Sequence, residues 1–158
     1  MSADSPASPG HRALRRGRVS LPHGVYHVTV ATWQRRPWFA NTVHARAACV
    51  GFTDATALGD ARLLAWVLMP DHAHWLLQLG ERDGLSRVVA RMKAAAARAV
   101  HRAGLAGPVW RPAFHDRALR REEDLRDVAR YLLANPVRAG LVERSADYPF
   151  LGTIWPDP

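Results

Sequence analysis

Residues 25–32 read Val-Tyr-His-Val-Thr-Val-Ala-Thr, with β-branched and apolar side chains in alternation. A period of two is the signature of a strand with one buried face. Two short apolar runs follow, residues 61–69 (ARLLAWVLM) and 72–79 (HAHWLLQL), separated only by Pro70-Asp71. Pro-Asp is turn chemistry, so the two runs predict a β-hairpin. Between the first strand and this hairpin, Asn41 is a suitable N-cap for a helix reaching about residue 57, a stretch weakened by β-branched and Gly residues.

Residues 85–103 are Ala-rich, with Leu85, Val88, Val89, Met92 and Val100 at helical spacing and Gly104 as the stop. A strand-like piece spans residues 110–114. A last helix is predicted over residues 122–134, with Leu125, Val128, Ala129 and Leu132 as its buried stripe. Its acidic start, Glu122, Glu123 and Asp124, suits the positive end of a helix dipole. The order strand, helix, strand, strand, helix, strand, helix predicts an α+β fold. It is a ferredoxin-like βαββαβ antiparallel sheet with one added C-terminal helix. No internal repeat or second domain is visible, so one domain over residues 21–158 is expected after a basic tail of residues 1–20.

Charge sharpens this outline. Twenty-two Lys and Arg against fourteen Asp and Glu give a net charge of +8, which favours a polyanionic partner such as nucleic acid. Arg12, Arg15, Arg16 and Arg18 concentrate charge in the tail. Arg87, Arg91, Arg98 and Arg102 share one face of the Ala-rich helix, where they can track phosphates or simply form a solvated face. Trp33 and Trp110 can stack unpaired bases or pack in the core. Cys49 is the only cysteine, which excludes an intramolecular disulfide and a cysteine-rich zinc module. No apolar run has the roughly 20 residues needed to span a bilayer, and a cytoplasmic protein with no membrane partner is expected.

The candidate chemistry lies in Met69-Pro70-Asp71-His72-Ala73-His74. Residues two apart in a strand point to one face, so His72 and His74 present neighbouring imidazoles. Two imidazoles alone make a weak metal site, and the same pair also serves as half-buried histidines beside a turn. Tyr131 and Asn135, four apart, fall one helical turn apart on the last helix. Asn135 can supply a hard amide oxygen as a third ligand, a mixed N/O set suited to Mg²⁺ or Mn²⁺, or it can be the helix terminator before Pro136.

Four stretches together resemble the REP-associated branch of the single-strand insertion-sequence transposases, tyrosine nucleases of the HUH type. They are Tyr26-His27-Val28-Thr29, the block from Trp66 to His74 (WVLMPDHAH), Phe114-His115-Asp116-Arg117-Ala118-Leu119, and the run from Ala129 to Val142 (ARYLLANPVRAGLV). The resemblance covers residues 25–155, with the motifs in family order. It implies a metal site at His72 and His74 and a nucleophile at Tyr131. It puts Asn135 where the wider family has Gln as the third ligand, and it leaves His115 and Asp116 without an assigned role. It also implies single-stranded hairpin DNA as substrate, cut through a covalent 5′-phosphotyrosine link. The branch looks monomeric, whereas many single-strand transposases are dimers with the Tyr helix exchanged, so a monomer is expected.

Overall fold

The computed structural model describes residues 20–121 and 123–156, so Arg12, Arg15, Arg16 and Arg18 of the tail lie outside the described residues. Five strands, β1 (Val25–Ala31), β2 (Arg62–Met69), β3 (His72–Gln78), β4 (His115–Ala118) and β5 (Leu151–Thr153), form one sheet. Their order is β4-β1-β3-β2-β5, with every neighbouring pair antiparallel. The first four strands thus reproduce the expected ferredoxin-like arrangement, and β5 extends it at the β2 edge. Among the described residues five α-helices accompany them: α1 (Thr42–Phe52), α2 (Ala55–Leu58), α3 (Leu85–Arg102), α4 (Leu125–Leu133) and α5 (Asn135–Arg138).

The predicted hairpin forms with a two-residue turn, pairing Met69 with His72 and Val67 with His74. Its alternation sends Ala73, Trp75 and Leu77 to one face, where they meet Tyr26, Val28 and Val30 of β1. Helices α1 and α3 cover this face. Asn41 caps α1, its side chain accepting from the Val43 and His44 amides. The Gly that weakens α1 as a sequence has a packing reason. A Cβ on Gly51 would stand 2.6 Å from the Ala95 oxygen and the Ala96 Cα, so the backbones of α1 and α3 meet there.

The opposite face carries a second cluster. Leu64, Ala65, Val67 and Met69 of β2 and Leu76 of β3 are covered by Ala129, Leu132 and Leu133 of α4. Burying each of the two leucines of α4 contributes roughly 1.5–3 kcal/mol before chain entropy is counted. The cover is one-sided. It seals the β2 side of the face and leaves His27 and Thr29 of β1 and His72 and His74 of β3 only partly buried beside it.

Three expectations are corrected. The fourth strand is His115–Ala118, not residues 110–114. Trp110 contributes only an isolated bridge to Thr32, and the apolar residues that suggested a strand are core cover. The helix predicted to about residue 57 ends at Phe52, where the Thr53 hydroxyl donates to the Cys49 carbonyl, and α2 is a separate turn closed by Gly59 at φ 61. Helix α4 begins at Leu125, because Asp124 is its cap, accepting from the Arg126 amide. Glu123 instead binds Arg117 and the Arg120 amide ahead of the helix.

Candidate active site

The hairpin places His72 and His74 on the same sheet face as α4. His72 Nδ1 donates to Asp71 Oδ1 at 2.7 Å, which fixes the tautomer with a lone pair on Nε2. His74 Nδ1 lies 3.0 Å from His27 Nε2 and 3.2 Å from Thr29 Oγ1. A proton on His74 Nδ1 satisfies that side and leaves its Nε2 a lone pair as well. The two Nε2 atoms then face each other at 3.1 Å. Two lone pairs so close repel unless a proton or a cation stands between them. A divalent cation that accepts imidazole ligands would be held by these two nitrogens.

Electrostatics keep His74 available as a ligand. Burial, followed by the neighbouring His72, His27, Arg138 and Arg35 charges, pushes the His74 pKa down to about 3. Burial and the Arg117 charge also hold His27 below the ordinary histidine range. Among the described residues no three His, Cys, Asp or Glu side chains gather for a metal, so a third donor would have to be of another kind. Such a site fits an ion that keeps open positions.

The turn that carries Asp71 is itself braced. Thr32 is fully buried, its amide donates to the Asp71 carbonyl, and its hydroxyl lies between the Arg36 and Asp71 carbonyl oxygens. Gln34 and Arg35 just after it adopt left-handed backbone, with φ of 53 and 54. That conformation costs roughly 1–2 kcal/mol per residue. Held this way, Arg35 reaches Asp71 Oδ2 at 3.3 Å, so one carboxylate serves both an arginine and a histidine.

Tyr131 is 68% exposed on the last turn of α4. The chain has three tyrosines, and the other two are engaged. Tyr26 is buried with its hydroxyl accepting from the Leu21 amide, and Tyr148 donates to the Leu68 carbonyl with its pKa pushed up to about 12 by burial. The end of α4 is finished by side chains. Pro136 has no N–H to offer the Leu132 carbonyl, and the Asn135 amide nitrogen donates to it instead at 2.7 Å. Arg138 donates to the Tyr131 carbonyl and the Ser145 hydroxyl to that of Leu133. Asn135 is therefore a helix terminator by its nitrogen, and its oxygen is the atom left to act as a ligand.

The other predicted residues fall elsewhere. Helix α3 lies across the sheet from the histidines, and with it Arg87, Arg98 and Arg102, all exposed. Arg87 is 3.8 Å from Asp83. Arg91 is committed inside the protein, donating to the Ala57 and Leu58 carbonyls and to Asp83. Trp110 is 8% exposed, packs on Phe39 and Trp75, and donates to the Lys93 carbonyl, so it offers no stacking platform. The cations whose charge reaches the histidines are Arg35, Arg138 and Arg117, which the sequence did not single out. His27 was missed too. Its signal was its place in the alternation of β1, on the face that Thr29 shares. His115 pairs with Thr29 across β1 and β4, which puts it on this face as well.

Among the described residues no helix is long and apolar enough to cross a membrane. The profile of the family described as "Transposase IS200 like" matches residues 20–129, a stretch that contains both histidines and stops two residues short of Tyr131. The REP-associated tyrosine transposase of Escherichia coli (strain K12) is 36% identical over 88 residues, 54% of this chain and 50% of that protein. The match thus spans about half the length of this curated relative. A solved REP-associated tyrosine transposase bound to a REP hairpin superposes with a TM-score of 0.67 and 28% identity, over 85% of this chain and 79% of the other. A crystal structure of a candidate transposase from Deinococcus radiodurans R1 gives a TM-score of 0.55 and 26% identity, over 73% and 92%. Histidine pair, sheet order and family profile agree, and the chain belongs to the IS200-like transposase family.

Proposed function

We propose that this chain is a metal-dependent endonuclease and strand transferase for single-stranded hairpin DNA, with Tyr131 as nucleophile and His72, His74 and the Asn135 oxygen as metal ligands. The observation that carries it is the Nε2 pair 3.1 Å apart, with each ring turned by a partner at its Nδ1. The REP hairpin held by the similar solved structure supports the substrate class, and the family match supports the transposase chemistry.

Tyr131 Oη attacks phosphorus, and the bond to the 3′ oxygen breaks. The strand on one side keeps a 5′-phosphotyrosine link, and the other leaves with a free 3′-OH. The phenolic proton passes to solvent. Attack of a 3′-OH on the link reverses the step, so no nucleotide cofactor is consumed. Phenol has a pKa of about 10, so it needs help as a nucleophile at neutral pH. A bound Mg²⁺ or Mn²⁺ supplies Lewis-acid polarisation of the phosphate. The protein itself holds the His74 imidazole neutral, orients both rings through Asp71, Thr29 and His27, and brings the Arg35 charge to Asp71 beside them.

The test is incubation with Mn²⁺ and hairpin oligonucleotides drawn from palindromes flanking the gene. The expected product is a protein–DNA adduct that survives denaturation and is lost in Tyr131→Phe and His72→Ala. Cleavage persisting in Tyr131→Phe would replace this reading by a phosphodiesterase that uses water. Hairpin binding without cleavage under either metal would replace it by a binding protein without turnover.

A further inference from the structure

Arg138 stands out among the exposed arginines because two contacts tie it to Tyr131. Its guanidinium lies 4.0 Å from the centroid of the Tyr131 ring. One terminal nitrogen donates to the Tyr131 carbonyl at 2.8 Å. No acidic partner of Arg138 occurs among the ion pairs of the described residues, in contrast to Arg117, Arg130 and Arg144, which are bound to carboxylates.

We infer that Arg138 is the positioning residue of the tyrosine, restricting the Tyr131 ring and fixing its backbone so that the hydroxyl meets the phosphate. The inference rests on the tyrosine mechanism proposed above. Its physical basis is a planar cation fixed at two points. The donor bond to the Tyr131 carbonyl sets where the guanidinium sits, and the stack over the ring then restricts the rotation of the phenol. A residue on an exposed last turn, without such a clamp, would spread its hydroxyl over several rotamers. Near-attack geometry asks for one of them. The local chain explains why the clamp is available. Pro136 removes one amide from the helical ladder, and Arg138, seven residues after Tyr131 along nearly continuous helical backbone, takes up the Tyr131 carbonyl.

The experiment compares single-turnover adduct formation with hairpin affinity in wild type, Arg138→Ala, Arg138→Gln and Arg138→Lys. Arg138→Ala is expected to lower the adduct rate at saturating DNA at least 30-fold while the Kd changes less than threefold. Added guanidinium ion is expected to restore part of that rate. Gln keeps a donor for the Tyr131 carbonyl without the cation and shows whether the end of α4 needs the bond to stay folded. Lys keeps the charge without the plane, and its rate should stay near that of Ala. Thermal melts of all four chains follow folding. A rate within threefold of wild type in Arg138→Ala, or a loss confined to hairpin affinity, would overturn the inference and leave the tyrosine mechanism standing. A wild-type chain that forms no adduct would overturn the mechanism and this inference together.

Discussion

The two faces of the sheet were built from the same strands to opposite ends. The face under α1 and α3 is a continuous apolar layer, closed so tightly that Gly51 meets Ala95 and Ala96 backbone to backbone. The face under α4 is sealed only on its β2 side and exposes histidines, a threonine and arginine charge on the other. Neighbouring positions of one strand, Trp75 and His74, thus answer to different demands. The contrast teaches that stability and chemistry are separated here by strand alternation, not by distance along the chain.

That separation is broken or sharpened by substitutions on each side. The largest effect is expected from Tyr131→Phe on the open face, where the covalent adduct should vanish from a denaturing gel while the melting temperature stays put. Next comes Gly51→Leu on the closed face. Forcing side-chain atoms between α1 and α3 should cost about 3 kcal/mol of stability in urea titration, with adduct formation near normal at low temperature. If Gly51→Leu left stability unchanged, the close approach of the helices would be wrong. Asp71→Asn should weaken Mn²⁺ binding, measured by calorimetry, by roughly 10–100-fold, because it removes the carboxylate that turns His72.

Acid should act on the open face at smaller amplitude. His27 and His74 have folded-state pKa values below their unfolded values, so the unfolded chain binds protons that the folded chain refuses. In metal-free protein, stability should therefore fall as pH drops below about 6.5 towards about 3. His74→Gln should flatten that slope in melts recorded across pH. The smallest response is expected at Cys49 on the closed side. Burial pushes its thiol up to about 12, so iodoacetamide at pH 8 should leave the native protein unalkylated, and rapid labelling would contradict the packing.

How far the sequence reached follows the same division. The hairpin, the Asn41 cap and the long helix α3 were legible because alternation, cap chemistry and helical spacing are local signals. Strands β4 and β5 were not. His115–Ala118 is a polar edge strand with one partner, so nothing compels an apolar alternation. Leu151–Thr153 is three residues around a glycine seated against the Trp66 indole, which only the fold reveals. In the site, His72, His74, Tyr131 and Asn135 were singled out through the family resemblance, because their spacing alone fits packed histidines and a helix end equally well. Arg35, Arg138 and His27 were not, since each reaches the pair from another element through a turn, a helix break or a strand pairing.

The two-residue turn at Pro70-Asp71 ties these matters together. Shifting the pairing of β3 by one position would swap its faces, sending His72 and His74 towards α1 and α3 and Trp75 out to the side of α4. A chain that mispairs its hairpin therefore loses its core and its reactive centre in the same stroke. Parity acts as a proofreading device: no stable molecule of this fold arises with the strands aligned for strength and misaligned for reaction.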